Sequence, residues 1–158
     1  MLYTIGYSNR PYEEFVSIVR GRNITQLMDV RSSPRSRNPA YSQARLEQWC
    51  AEAGITYQHE GMTLGGRSHV SPQDQAYNAS TEGVIRASSR GNVALLCAEG
   101  EPEKCHRCYD IGAALILRYR VHATNVRRDG SDQAMTASLP LVSPKLFNPL
   151  IVPPGARW

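Results

Sequence analysis

No apolar stretch in this chain approaches the ~20 residues that a membrane span needs. The first residues, MLYTIGYSNR, lack a basic segment followed by an apolar one. No export leader is therefore predicted, and the expected compartment is the cytoplasm. Cysteine is scarce, four in 158 residues. A cytoplasmic chain keeps thiols reduced, so these four are read as thiols or ligands and not as a disulfide framework. Internal repeats and low-complexity segments are absent, which excludes a solenoid. Aromatics are nearly missing around the Arg-rich loop, where only Tyr41 lies close, so an extended platform for single-stranded nucleic acid is not expected. Excess charge is small, a net +4, which allows an anionic partner without requiring one. What remains, at 41% hydrophobic and 20% charged residues, is the composition of one soluble globular domain with a real core.

Apolar periodicity alternates along the chain. Leu2–Gly6 reads as a strand. Tyr12, Phe15, Ile18 and Val19 then fall on one helical face behind Pro11, and Gly21 ends that helix. Residues 25–30 form a second strand, ending in Asp29-Val30-Arg31. Ser42 caps a helix with Leu46, Trp49, Cys50 and Ala53 inside and Gly54 at its end. A third strand is expected over 55–59, a Gly-rich loop over 61–71, and a weakly patterned helix over 73–89. Residues 93–97 give the fourth strand, 105–120 a helix and 121–126 a fifth strand. This order predicts an α/β, Rossmann-like three-layer sandwich: a mostly parallel sheet of about five strands with helices on both faces. Residues 1–126 make the domain. Residues 127–158 hold five of the ten prolines and read as an extended C-terminal tail lying on it, with an arm for a partner copy, and hence a homodimer, or a strand at a sheet edge as the alternatives.

Open parallel sheets bind ligands outside the carboxyl ends of their strands. Strand one brings Ser8, Asn9 and Arg10 there, and strand two brings Asp29, Arg31 and Arg35. The third brings the loop with Gly65, Gly66 and Arg67. The fourth brings Cys97, Glu99 and the helix start Cys105-His106-Arg107. A single hollow collecting these groups would suit general acid–base chemistry, with Asp29, Glu99, His106 and Cys97 catalytic. Ser8, Asn9, Arg10, Arg31, Arg35, Gly65, Gly66, Cys105 and Arg107 would hold an anionic substrate. Plainer readings stand beside this one. Asp29 pairs with Arg31, the glycines serve close backbone approach, Cys50 is a small core residue, and Cys97 is an inert buried thiol.

The cysteines are also weighed as metal ligands. Cys97, Cys105, His106 and Cys108 give a C-x7-C-H-x-C spacing, unlike the C-x2-4-C knuckles of tetrahedral sites. Adjacent residues on a helix point about 100° apart, which separates Cys105 from His106. No metal and no cofactor are therefore predicted. As a nucleophile, Cys97 would gain from loop N–H groups and a helix start. The Cys-based phosphatase pattern fails, since position 103 is Glu103 where an arginine is needed, and Glu99, Glu101 and Glu103 load the loop with charge that opposes a thiolate.

Four segments, TIGYSNRPYEEF, DVRSSPRSR, LGGR and CAEGEPEKCHR, occur in this order and resemble the bacterial domain-of-unknown-function family 488. The resemblance spans Leu2 to Val126 and implies a Rossmann-like domain. It implies that Ser8, Asn9, Arg10, Asp29, Arg31, Pro34, Gly65, Gly66, Cys97, Glu99, Cys105, His106 and Arg107 are shared positions. Tyr7 stands where the family usually has His; Cys108 and the Pro-rich tail are particular to this chain. No reaction comes with the resemblance.

Three functions remain as expectations. One is a small enzyme or binder acting on a nucleotide, a nucleic-acid base or another phosphorylated substrate, with Arg31, Arg35 and Arg107 on the anion. The second is rhodanese-like sulfur transfer through Cys97. The third is a non-catalytic nucleotide or nucleic-acid binding module whose cysteines are structural or hold zinc. None involves a membrane.

Overall fold

The computed structural model describes residues 1–136. Its sheet has six strands in the order β3-β2-β4-β1-β5-β6. They are β1 Leu2–Gly6, β2 Ile24–Asp29, β3 Thr56–His59, β4 Asn92–Cys97, β5 Thr124–Val126 and β6 Asp132–Ala134. The first five pair in parallel and β6 runs antiparallel to β5. The central strands β1 and β4 are almost entirely buried, which is why both read as unbroken apolar runs. Edge strand β3 alternates exposed and half-buried residues.

Helices cover both faces. Helix α1 (Tyr12–Gly21) and α2 (Gln43–Ala53) bury Phe15, Val19, Leu46, Trp49 and Cys50 against Ile5, Leu27, Ala94 and Leu96. The short α3 (Gly61–Leu64), α4 (Gln75–Arg90) and α5 (Ala113–Tyr119) pack Leu64, Tyr77, Val84 and Leu115 against Met28, Val30, Val93, Leu95 and Cys97. Local signals act as expected. The Ser42 hydroxyl accepts the Arg45 N–H at 3.4 Å, and Gly54 closes α2 at φ 70°. Among the described residues no helix is long and apolar enough to cross a membrane.

Four elements depart from the sequence-based expectation. The Gly-rich loop expected over 61–71 opens with the short helix α3. The helix expected over 105–120 opens with a π-helical turn, Arg107–Gly112, and Cys105 precedes it in extended conformation. Strand β5 is shorter than expected because Arg120 takes a left-handed conformation and the Val121 N–H folds back onto the Leu115 carbonyl. The sixth strand, β6, falls past residue 126, within the segment expected to be tail. Most of that tail, with the homodimer it would serve, lies outside the described residues.

The connections position the site. The chain leaves β2 through α2 toward β3, and leaves neighbouring β4 through α5 toward β5, on the other face. The carboxyl ends of β2 and β4 therefore flank the point where the chain's course reverses, the place where open α/β sheets form a crevice.

Candidate functional site

The sheet divides the expected single hollow into two clusters. Asp29 lies in register with Leu96, and Leu96 faces α1 and α2. Cys97 is the next residue along β4, so the pleat turns its side chain to the α4–α5 face. Asp29 and Cys97 thus end neighbouring strands but point to opposite sides, which corrects the expectation of a shared acid and thiol.

On the α1–α2 side, Asp29 and Arg31 are given to each other. The Arg31 Nε donates to both carboxylate oxygens at 2.8 and 3.0 Å, and its backbone N–H to Oδ1 at 3.1 Å. The Tyr57 hydroxyl adds a bond to Oδ2 at 2.6 Å, and Arg31 Nη1 reaches the Tyr41 carbonyl at 2.8 Å. Both charged residues are buried. Burial, and then the bond to Asp29, push the Tyr57 phenol well above its ordinary value. Tyr7 stacks on Tyr41 with centroids 4.2 Å apart, and the Arg31 guanidinium lies over the Tyr7 ring at 5.3 Å. The pair is a buried structural strut, each charge held by the other and by protein groups, as the plainer reading has it.

Arg107 is likewise spent within the protein. It is fully buried, and donates to Thr4 Oγ1 at 3.2 Å, to the Gly100 carbonyl at 3.0 Å and to the Glu99 carbonyl. It therefore ties the β4 loop to β1 instead of waiting for an anion. Arg10, also buried, serves the Gly6 and Arg127 carbonyls and pairs with Glu14. Close approach of the two loops explains Gly6: a Cβ there would sit 1.8 Å from the Glu99 carbonyl oxygen.

The α4–α5 side holds the reactive cluster. His106 Nδ1 lies 3.8 Å from Cys97 Sγ and 3.7 Å from Cys105 Sγ. Its Nε2 lies 3.0 Å from the Val30 carbonyl. A carbonyl only accepts, so Nε2 carries the proton and the neutral ring aims the Nδ1 lone pair at the two sulfurs. The three ligand atoms all lie within 4.8 Å of one another, and all three residues are buried. Sequence reasoning kept Cys105 and His106 apart by treating both as helical. Cys105 is extended, at φ −117° and ψ 137°, so the 100° helical offset does not apply and the two side chains converge. Gly66 closes over the ring: a Cβ would come within 3.0 Å of the imidazole.

This environment favours one thiolate. A hydrogen bond from the Cys105 thiol lowers the Cys97 pKa most; burial opposes it, and His106 and the Glu99 backbone N–H lower it further. The Cys105 thiol is correspondingly held up by the same bond and by burial. Burial works against a charged His106, but the Cys97 hydrogen bond and charge outweigh it and raise its pKa. The acidic loop is less hostile than its sequence suggests. Arg127 binds Glu103 at 3.2 Å and Glu101 at 3.8 Å, and the Glu99 carboxylate accepts the Glu101 N–H at 3.0 Å.

The remaining expected residues are spread along the rim. Ser8 is half-buried and binds the Ala98 carbonyl through its backbone N–H at 2.9 Å, while Asn9 is exposed with φ 54°. Gly65 packs against Ser32 and Gly61. Arg35 and Glu99 are exposed. Cys50 is a buried core residue on the α1–α2 face, and Cys108 lies 4.0 Å from the Asn125 amide. Sequence reasoning missed the Val30 carbonyl, Thr4, Tyr57 and the buried Asp110, whose charge also raises the His106 pKa. Only Asp110 carried a signal, an acid three residues after an arginine in an otherwise apolar helix.

A family model described as Domain of unknown function DUF488 matches residues 11–109, well over half of the chain and including the whole reactive cluster. No curated protein and no solved structure matches the chain.

Proposed function

This chain belongs to the DUF488 family, and from that premise we propose that it is a thiol-dependent transferase whose reacting atom is Cys97 Sγ. The observation that carries this reading is the Val30–His106 hydrogen bond, which commits the imidazole lone pair to the sulfurs. His106 takes the Cys97 proton and stays as an imidazolium beside the thiolate. A sulfane-sulfur donor fits such a centre. The thiolate attacks the donor's outer sulfur, the donor's sulfur–leaving-group bond breaks with its electron pair, and a persulfide remains on Cys97. An acceptor nucleophile then takes the sulfur and returns the thiolate. The Cys105 thiol, the His106 ring and the Glu99 backbone N–H stabilise the anion, and the bonds from Arg127 to Glu101 and Glu103 remove the main electrostatic objection. The test is incubation with thiosulfate followed by measurement of the sulfite that leaves. Wild-type protein is expected to release sulfite and Cys97→Ser none; no sulfite from wild type ends the proposal.

The same three atoms support a second reading. A tetrahedral zinc with Zn–S of about 2.3 Å and Zn–N of about 2.05 Å sets S and N roughly 3.6 Å apart. The observed separations are 3.8 and 3.7 Å. A metal-bound His also donates its other N–H to a carbonyl, as His106 does. Zinc would occupy Cys97, Cys105 and His106 with one open position and would silence the nucleophile. Elemental analysis of the purified protein separates the two; a stoichiometry near zero removes zinc. The nucleotide reading keeps the exposed arginines of the two loops, Arg35, Arg37 and Arg67, since Arg10, Arg31 and Arg107 are bound within the protein. A nucleotide that raises the melting temperature of wild type but not of Arg35→Ala would revive it.

A further inference from the structure

Cys105 is more than a hydrogen-bond donor to Cys97. Both sulfurs touch the same imidazole nitrogen, at 3.8 and 3.7 Å, and lie within 4.8 Å of each other. A disulfide needs about 2.05 Å between sulfurs, a closure of a few ångströms. Cys105 is the residue best placed to supply it. It sits in extended backbone between a one-turn 3-10 helix (Pro102–Lys104) and the π-helical turn, and a rotation about its χ1 leaves its backbone bonds to Pro102, Cys108 and Tyr109 in place. Neither Cys50, on the opposite sheet face, nor Cys108, turned to Asn125, shares that nitrogen.

We infer that Cys105 is the resolving thiol of this site: it attacks a sulfur-loaded Cys97, releases sulfide and leaves a Cys97–Cys105 disulfide. The inference rests on the transfer reading above and adds a second fate for the bound sulfur. The step balances. The imidazolium left by the first transfer protonates the outer sulfur of the Cys97 persulfide and so frees Nδ1. With no Cys97 thiolate left to hold it, the Cys105 proton then passes to that nitrogen at 3.7 Å. The Cys105 thiolate attacks Cys97 Sγ. The Sγ–Sγ bond forms, the bond to the outer sulfur breaks, and hydrosulfide leaves with the electron pair. The outer sulfur is reduced to sulfide and the two thiols are oxidised to the disulfide. Hydrosulfide collects the imidazolium proton, and an external dithiol reduces the disulfide by exchange. One imidazole thus serves the two thiols in turn, which accounts for its position between them.

The experiment uses the full chain, thiosulfate as donor and no reductant. Reactions are quenched in acid and free thiols alkylated; released sulfide is measured and cross-linked peptides are mapped by mass. Wild type is expected to give one Cys97–Cys105 link per sulfide released. Cys105→Ser and Cys105→Ala are expected to retain the persulfide on Cys97 and release none. Sulfur held by wild-type Cys97 with no sulfide released overturns the resolving role and leaves the transfer reading standing. No sulfur on Cys97, together with no sulfide and no Cys97–Cys105 link, overturns both. A link from Cys97 to Cys50 or Cys108 overturns the assignment to Cys105, and the wild-type map gives that answer whether or not the Cys105 variants fold.

Discussion

The Val30 carbonyl and the His106 ring join β2 to the start of the last helix through one 3.0 Å hydrogen bond, across the place where the chain's course reverses. The bond fixes the ring's tautomer as well as its position. Removing the ring takes away the lone pair that accepts the Cys97 proton and the imidazolium that steadies the thiolate. His106→Ala is therefore expected to slow iodoacetamide alkylation of Cys97 at pH 6 by about tenfold or more, one decade for each unit by which the thiol pKa rises. Its rate profile should move toward an ordinary thiol, half-ionised near pH ~8.5. An unchanged profile in a folded variant would take His106 out of the mechanism.

The same thiol makes stability depend on pH. Its folded pKa is lowered relative to the unfolded chain, through the Cys105 hydrogen bond despite burial. A lowered folded value means that the contribution is complete above the unfolded pKa of about 8.5 and is lost as pH falls toward the folded one. His106 acts in the opposite sense: its folded pKa is raised, so its share is complete below about pH 6.5 and fades as pH rises. Below about pH 6.5 His106 is protonated in the folded and unfolded chains alike, so comparing wild type with Cys97→Ser there isolates the thiol. The gap in melting temperature is expected to shrink steadily from pH ~6.5 to pH ~5. A gap that widens in acid would contradict a native-state thiolate.

Asp29 and Arg31 test the division of the site. The carboxylate is fully buried and accepts from Arg31 and Tyr57. Asp29→Asn leaves the guanidinium buried beside a neutral amide and should cost about 3–5 kcal/mol in denaturant unfolding, as broken buried pairs do. If this pair is structural, the Cys97 alkylation profile of the folded variant should match wild type. A large fall in Cys97 reactivity without loss of stability would return Asp29 to the chemistry.

Much of the fold is legible because covered parallel strands are apolar throughout and helix faces repeat every three to four residues. Leu2–Gly6 and Tyr12–Gly21 have the bounds that the pattern predicts. The site is less legible because it depends on parity. A register shift between Ile24 and Gln26 sets Asp29 beside Leu96, and a slip of one residue would turn it to the other face. Nothing in either strand's composition records that choice. The convergence of Cys105 and His106 depends on one residue's ψ, and the use of Arg107 depends on backbone carbonyls that look alike in any sequence. Strand β6, Asp132-Gln133-Ala134, is too short and polar to show alternation, and pairing with β5 alone makes it a strand.

Gly6 tests the contact beneath the loop. A methyl group there would meet the Glu99 carbonyl oxygen at 1.8 Å and Gly100 Cα at 2.9 Å, both backbone atoms. No side-chain rotation relieves this, so the loop that gives Cys97 its Glu99 N–H has to shift. Gly6→Ala is expected to cost about 1–3 kcal/mol by the usual scale of overpacking. It should also raise the pH at which Cys97 is alkylated. Full stability in a chemical melt would show that the two loops are not held this close.

Arg127 offers the most selective electrostatic test, because it touches neither sulfur. It binds Glu101 and Glu103, and all three are partly exposed. Without it, two carboxylates on the Cys97 loop lose their counter-charge and repel a thiolate. Arg127→Gln is therefore expected to slow Cys97 alkylation near neutral pH at low salt while the protein stays folded. Screening gives the decisive control. The Debye length falls from ~10 Å at 0.1 M to about 3 Å at 1 M salt, so the deficit should close as salt is raised. A deficit that persists at 1 M salt would mean that Arg127 acts by holding the loop's shape, through its side-chain bonds to Glu103 and Gln133, and not through charge.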